Sequence, residues 1–174
     1  MTIQEWLSKT TASDIMVRRV VTLSPHDTMA HAAEVFLREQ ISGAPVVTQN
    51  GICVGVCSAN DLVHAEEVVL RERAKVAESS LWNTSLALPV AVYEQKLAEV
   101  RDKIAPAAEQ PVERFMTTNL VSVRETEPVL KVVTAMVEAH IHRVVVVDAS
   151  NRLLGIVSTT DILAALLKPE RSAK

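Results

Sequence analysis

Two stretches of this chain carry the same order of apolar and polar runs. In the first, VVTL at 20–23 is a short apolar run that predicts a strand. Behind it Ser24 can cap a helix, Pro25 suits the first helical position, and Asp27 complements the helix dipole. Met29, Ala32, Ala33, Phe36 and Leu37 then recur at i, i+3, i+4, i+7 and i+8, one apolar stripe of a helix. APVV at 44–47 and ICVGVCS at 52–58, rich in β-branched residues and split by polar TQNG, predict a hairpin. A last helix begins near Asn60 and carries Leu62 and Val63.

The second stretch repeats this order. LVSV at 120–123 is the strand, and Val129, Val132, Val133, Met136 and Val137 form the stripe. VVVV at 144–147, the turn DASN and RLLGIVS at 152–158 form the hairpin. A final helix from near Thr160 carries Ile162, Leu163, Leu166 and Leu167. Each unit reads β-α-β-β-α, an α+β class. The offset is 100 residues without a gap: Met16 returns as Met116, Ile41 as Ile141, Gly55 as Gly155, Ser58 as Ser158 and Asp61 as Asp161. One supersecondary unit is used twice, and two such units packed face to face make paired clefts.

The expected organisation is an N-terminal helical segment at 1–12, repeat one at 13–65, an insert at 66–112, repeat two at 113–168 and a tail at 169–174. In the insert, EEVVLRERAKVAES reads as a continuation of the last helix of repeat one. After a break at WNTSLALP, Pro89 opens a second helix with Val90, Tyr93, Leu97, Val100 and Ile104 on one side, and Pro106 stops it. The two form a helical hairpin, either a spacer over the sheet edge or a surface for a dimer or another partner.

The 174 residues are 48% apolar and only 3% aromatic, so the core is aliphatic. A net charge of −3 with mixed signs argues against a broad nucleic-acid surface. No apolar run approaches the roughly 20 residues that span a bilayer. The opening MTIQEWLSKT has neither the basic nor the apolar part of a secretion signal, which predicts a cytoplasmic protein. Cys53 and Cys57 fall on one face of a strand, opposite Leu153 and Val157 in the repeat, and read as core residues.

The chemistry concentrates where the hairpin runs into the last helix, GVCSAND at 55–61 and GIVSTTD at 155–161. A helix N-terminus offers free N–H groups to a phosphate. Ser158, Thr159 and Thr160 add hydroxyls, and Asp161 can accept from both hydroxyls of a ribose. The same Ser-x-x-Asp pattern is close to a capping box, which needs no ligand. His142 and Arg143 stand before the valine strand, as a phosphate contact or as a solvated strand end. His140 and His142 form a His-x-His pair without a cluster of further ligands, and no metal is expected. No GxSxG, Walker loop or HExxH occurs, so no enzyme is expected.

With GVCSANDL and HRVVVVDASNRLLGIVSTTDIL, both repeats resemble the CBS domain, named for cystathionine β-synthase. The second is similar to repeats of the gamma subunit of AMP-activated protein kinase. The resemblance covers about 13–65 and 113–168 and implies a pseudo-symmetric Bateman module. It implies an adenine nucleotide (AMP, ADP or ATP) or a related adenosyl compound bound between the repeats as a regulatory ligand. By it, Asp61 and Asp161 hold ribose, and Ser58, Ser158 and Thr160 match hydroxyl positions. His142 and Arg143 meet phosphates, and Thr22 and Ser122 lie near the adenosine. Repeat one departs from the pattern: Ser42 and Gly43 replace the His-Arg pair, and Asn60 replaces Thr160, so its cleft is expected to be the weaker. The implied function is a free-standing regulatory module, assembled as a homodimer through the repeat helices, that signals to a protein partner. The alternative is a CBS scaffold without a ligand that acts through its helical insert.

Overall fold

A computed structural model describes residues 2–82 and 105–167. Repeat two has the expected order. Strand β3 (Ser122–Arg124) runs parallel to β4 (Arg143–Val147), which pairs antiparallel with β5 (Leu153–Ser158). Helix α5 (Val129–Glu138) links β3 to β4, and α6 (Thr159–Leu167) follows β5. In repeat one, β1 (Gly43–Val47) and β2 (Cys53–Ser58) pair, α3 (Met29–Glu39) precedes them and α4 (Ala59–Trp82) follows. The expected strand at 20–23 does not form as one: Leu23 makes a single bridge and is buried. Ahead of repeat one lies α1 (Ile3–Lys9), and the four-residue α2 (Ala12–Ile15) opens it.

The expected start of α3 is corrected by four residues. Ser24, Pro25 and Asp27 form a turn in which the Ser24 N–H donates to the Asp27 carboxylate at 2.7 Å. The cap is Thr28, whose hydroxyl accepts from the His31 N–H at 3.1 Å. Asp27 therefore lies outside the helix, one residue before its cap, and the first turn of α3 holds no acidic side chain.

Local chemistry repeats along with the fold. Both stripe helices end on a left-handed residue, Gln40 and His140, each with φ 53°. Both hairpin turns use another, Gly51 at φ 80° and Asn151 at φ 59°, the conformation that a tight two-strand reversal requires. In each stripe the first, second and fourth residues are buried: Met29, Ala32 and Phe36, and Val129, Val132 and Met136. The fifth is exposed in both, Leu37 and Val137. The described part of α4 continues well into the insert, as expected. The second insert helix from Pro89 lies outside the described residues. Past it, Ala107–Glu109 and Val112–Arg114 are short 3-10 turns.

The chain divides into two compact units that cut across the repeats. One contains the residues up to Thr22, Pro45–Val56 and the residues from Thr117 onward; the other contains Leu23–Ala44 and Cys57–Met116. The first is built on Ala12, Met16, Val123, Val129, Val132, Met136, Val144, Val146, Val157 and Ile162. Cys53, Val145 and Val147 form a second cluster on the opposite face of β4, as alternation along a strand demands.

The division reflects an exchange of lead-in segments. The residues before repeat one are hydrogen-bonded to repeat two: Ala12 N–H donates to Glu127 O and Val129 N–H to Thr10 O, both at 2.8 Å. A hundred residues on, Val112 N–H donates to Asp27 O at 2.8 Å and Met29 N–H to Gln110 O at 2.9 Å. Val17 and Ile156 exchange two backbone bonds at 2.9 and 3.0 Å, and Thr117 and Val56 do the same at the same distances. Gly155 makes the first crossing possible. A Cβ there would lie 2.7 Å from Met16 Sδ and 2.9 Å from the Val17 carbonyl oxygen.

Candidate functional site

The turn from β5 into α6 holds most of the residues singled out in the sequence. Asp161 Oδ2 accepts from the Ser158 N–H at 2.8 Å and from the Ser158 hydroxyl at 2.5 Å. The Asp161 N–H donates back to Ser158 Oγ at 3.2 Å. This is a capping box, so the structural role of Ser-x-x-Asp is realised. It uses one carboxylate oxygen twice, and a carboxylate has about four acceptor positions. Asp161 therefore keeps the capacity to accept from a ligand.

The start of β4 lies beside this turn. Thr159 N–H donates to His142 O at 3.0 Å, and Arg143 stands opposite Ser158 in the β4–β5 ladder. His142, Arg143, Ser158, Thr159, Thr160 and Asp161 thus form one patch, with His142, Arg143 and Thr160 exposed. Ser122 lies on β3 opposite Val145 and is exposed. Thr22 is also exposed and outside any named element. Among the described residues, no three His, Cys, Asp or Glu side chains gather as a cation site.

Asp161 also lines a cleft of about 460 Å³. One wall is α6, through Asp161, Ala164 and Ala165. The other is the N-terminal segment leading into repeat one, through Trp6, Thr10 and the residues Asp14 to Val17 at the start of the repeat. This wall is fixed by the lead-in bonds described above. Asp14 closes α2 as Asp161 closes α6: its Oδ2 accepts from the Thr11 N–H at 2.8 Å and from the Thr11 hydroxyl at 2.7 Å. Those two bonds hold the Asp14 carboxyl below its usual range. Of the residues singled out in repeat two only Asp161 lines this cleft; His142, Arg143, Ser122, Ser158, Thr159 and Thr160 do not, nor does Thr22.

Trp6, Thr10 and Asp14 were missed by sequence reasoning, which set residues 1–12 aside as a helical segment and gave Asp14, at the start of repeat one, no role. One signal was present. Thr11-x-x-Asp14 has the same spacing as Ser158-x-x-Asp161, and Trp6 is one of only two tryptophans.

Repeat one carries the same turn with different surroundings. Asp61 Oδ2 accepts from the Ser58 N–H and hydroxyl, both at 2.7 Å. Ala59 N–H donates to Ser42 O at 2.9 Å, the counterpart of the Thr159–His142 bond. Asn60 is exposed in the first turn of α4. The absence of a basic residue at Gly43 is built into the backbone. A Cβ on Gly43 would lie 2.9 Å from the Cys57 carbonyl oxygen and 3.2 Å from Ser58 Cα, whereas Arg143 occupies the matching place in repeat two. Cys53 and Cys57 are buried and unpaired with each other, as core residues. Burial, with the Asp61 charge second, pushes the Cys57 thiol up to about 12.

Known proteins share this architecture. An uncharacterised protein of Methanocaldococcus jannaschii, MJ1426, is 28% identical over 154 residues, 88% of this chain and 89% of its own length. Three further curated relatives are longer, and the chain spans only 24–37% of their length. CBSX2 of Arabidopsis thaliana, solved in complex with AMP, superposes with a TM-score of 0.64 at 22% identity, covering 90% of this chain and 96% of the other. The CBS domain pair of protein MJ0100, solved with 5'-methylthioadenosine and S-adenosyl-L-methionine, superposes with a TM-score of 0.59 at 23% identity, covering 90% and 95%. The family model of the CBS domain matches residues 12–67 and again 112–168, so this chain belongs to the CBS domain family and carries a pair of its repeats.

Proposed function

We propose that this CBS pair is a regulatory module, without catalytic activity, that binds an adenosyl-containing small molecule and passes its occupancy to a protein partner in the cytoplasm. The observation that carries this reading is Asp161, a carboxylate with acceptor capacity left over from its cap, on the wall of a 460 Å³ cleft. A ribose is the group that offers two adjacent hydroxyls to such a carboxylate. The complexes of CBSX2 with AMP and of MJ0100 with two adenosyl compounds support the ligand class.

The signalling step follows from what the cleft joins. Its walls are the lead-in of repeat one and the last helix of repeat two. A ligand held by both favours the arrangement in which they are closed, and shifts the population by its differential affinity. Ser158, Thr160, Arg143 and His142 form the patch beside Asp161 that adjoins the cleft without lining it, and in this reading they extend the site, with Ser122 and Thr22 at its periphery. Asp61, Ser58 and Asn60 supply a weaker counterpart in repeat one. Mass spectrometry of small molecules released from the purified, denatured protein is the test. Recovery of an adenine compound supports the reading; no adenine compound recovered, and none bound at millimolar concentration in calorimetry, removes it.

A second reading is favoured by the exposed Leu37, Val137, Leu163 and Leu167. Such side chains on repeat helices suit a scaffold that pairs as a homodimer or docks a partner without any ligand. Light scattering separates a 19.0 kDa monomer from a dimer, and a monomer at micromolar concentration counts against the pairing.

A further inference from the structure

We infer, resting on the reading above that an adenosyl group occupies the cleft, that the cleft selects adenosyl compounds without a phosphate. In this inference Trp6, from the segment ahead of repeat one, and Asp14, at the start of that repeat, are the residues that set the selection.

The lining supports both halves. Its charged side chains are Asp14 and Asp161, and no Lys, Arg or His lines it among the described residues. Two carboxylates repel an incoming phosphate and attract a sulfonium or ammonium group. Asp14 stays ionised at neutral pH because the two Thr11 donors stabilise its charged form. His142 and Arg143 stand before and at the start of β4 and not on the cleft walls, and Lys9 and Arg18, next in the chain to Thr10 and Val17, do not line it either. Trp6 brings an aromatic surface to the same space. Helix α1 has no fully buried residue, so Trp6 keeps area that a base or a cation can cover.

Calorimetry on the full chain with adenosine, AMP and S-adenosylmethionine tests this. S-adenosylmethionine is expected to bind most tightly, and AMP at least tenfold more weakly than adenosine. Asp14→Asn keeps an oxygen for Thr11 and should narrow the gap between adenosine and AMP at least threefold. Trp6→Ala should weaken adenosine and S-adenosylmethionine about tenfold, and Trp6→Phe should restore most of that, with circular dichroism unchanged throughout. In a Trp82→Phe background, the remaining Trp6 fluorescence should change on saturation with S-adenosylmethionine. AMP binding more tightly than adenosine, with the preference lost in Arg143→Ala, overturns the inference, leaves the adenosyl reading standing and puts a phosphate at His142 and Arg143. Wild-type affinity in Trp6→Ala overturns the role of Trp6. Failure of all three compounds to bind removes the adenosyl reading, and this inference with it.

Discussion

Asp161 takes both the backbone N–H and the hydroxyl of Ser158 on a single carboxylate oxygen, at 2.8 and 2.5 Å. Asp61 holds Ser58 in the same way at 2.7 Å for each bond. Two caps that share these carboxylate bonds therefore sit in two different chemical settings, which separates stability from binding. Asp61→Ala and Asp161→Ala should each lower stability by about 1 kcal/mol, the usual value of a cap. Only Asp161→Ala should also abolish most adenosyl affinity. Chemical denaturation beside calorimetry on both variants checks this, and equal binding losses would mean the repeats are functionally equivalent.

Gly155 should not tolerate a methyl group. The clash of a Cβ with Met16 Sδ can be relieved by a rotamer change, but the Val17 carbonyl oxygen at 2.9 Å belongs to the backbone of the crossing segment. Gly155→Ala should cost about 1–3 kcal/mol, the range for overpacking. Adding Met16→Ala should not recover wild-type stability. A shift in the urea midpoint measures both effects.

The left-handed residues at the ends of α3 and α5 give an opposite expectation. Gln40 and His140 hold φ 53° with a side chain, a conformation that costs a residue with a Cβ about 1–2 kcal/mol. Gln40→Gly and His140→Gly should each raise stability by about 0.5–1 kcal/mol, part of the strain being offset by glycine's unfolded-state entropy. Unaltered ligand affinity in His140→Gly would show that this histidine is only a helix terminator.

Cys57 gives a pH signature. Its thiol is raised from an ordinary 9.0 to about 12 in the folded chain, chiefly by burial. The folded state therefore keeps a proton that the unfolded state releases above pH 9. The Cys57 contribution is fully present below pH 9 and is lost as pH rises toward 12, with a slope of up to about 1.4 kcal/mol per pH unit. Cys57→Val copies the residue of the matching position, Val157, and should flatten this alkaline limb. Thiol titration of the folded protein should find Cys57 unreactive at pH 8.

The sequence carried the repeat unit because that unit is encoded locally. The stripe of Val129, Val132 and Met136 has helical period, and the two hairpins declare themselves by β-branched runs around Asp148 and Gly51. Ser158 and Asp161 were legible as a pair because they are three residues apart. The opposite wall of the cleft was not, since Thr10 to Val17 has neither stripe nor strand period. Its conformation is dictated by backbone bonds to Glu127, Val129 and Ile156, more than a hundred residues away. The start of α3 was misplaced for a related reason. Ser24, Pro25 and Asp27 satisfy every rule for a helix start, but the carbonyls of Pro25 and Asp27 accept from Glu113 and Val112, which holds that turn apart from the helix.

The exchange of lead-in segments also bears on how the chain is made. A ribosome releases Thr10 to Val17 early, yet their hydrogen-bonding partners at Glu127, Val129 and Ile156 are synthesised more than a hundred residues later. Contacts of such separation raise contact order and slow folding. The nascent first repeat has to wait with its leading segment undocked, and its own α3 lacks the carbonyl of Gln110 until that residue emerges. A chain cut inside the insert therefore yields two pieces that each hold the other's lead-in, and co-expressed halves are expected to assemble where either half alone is degraded.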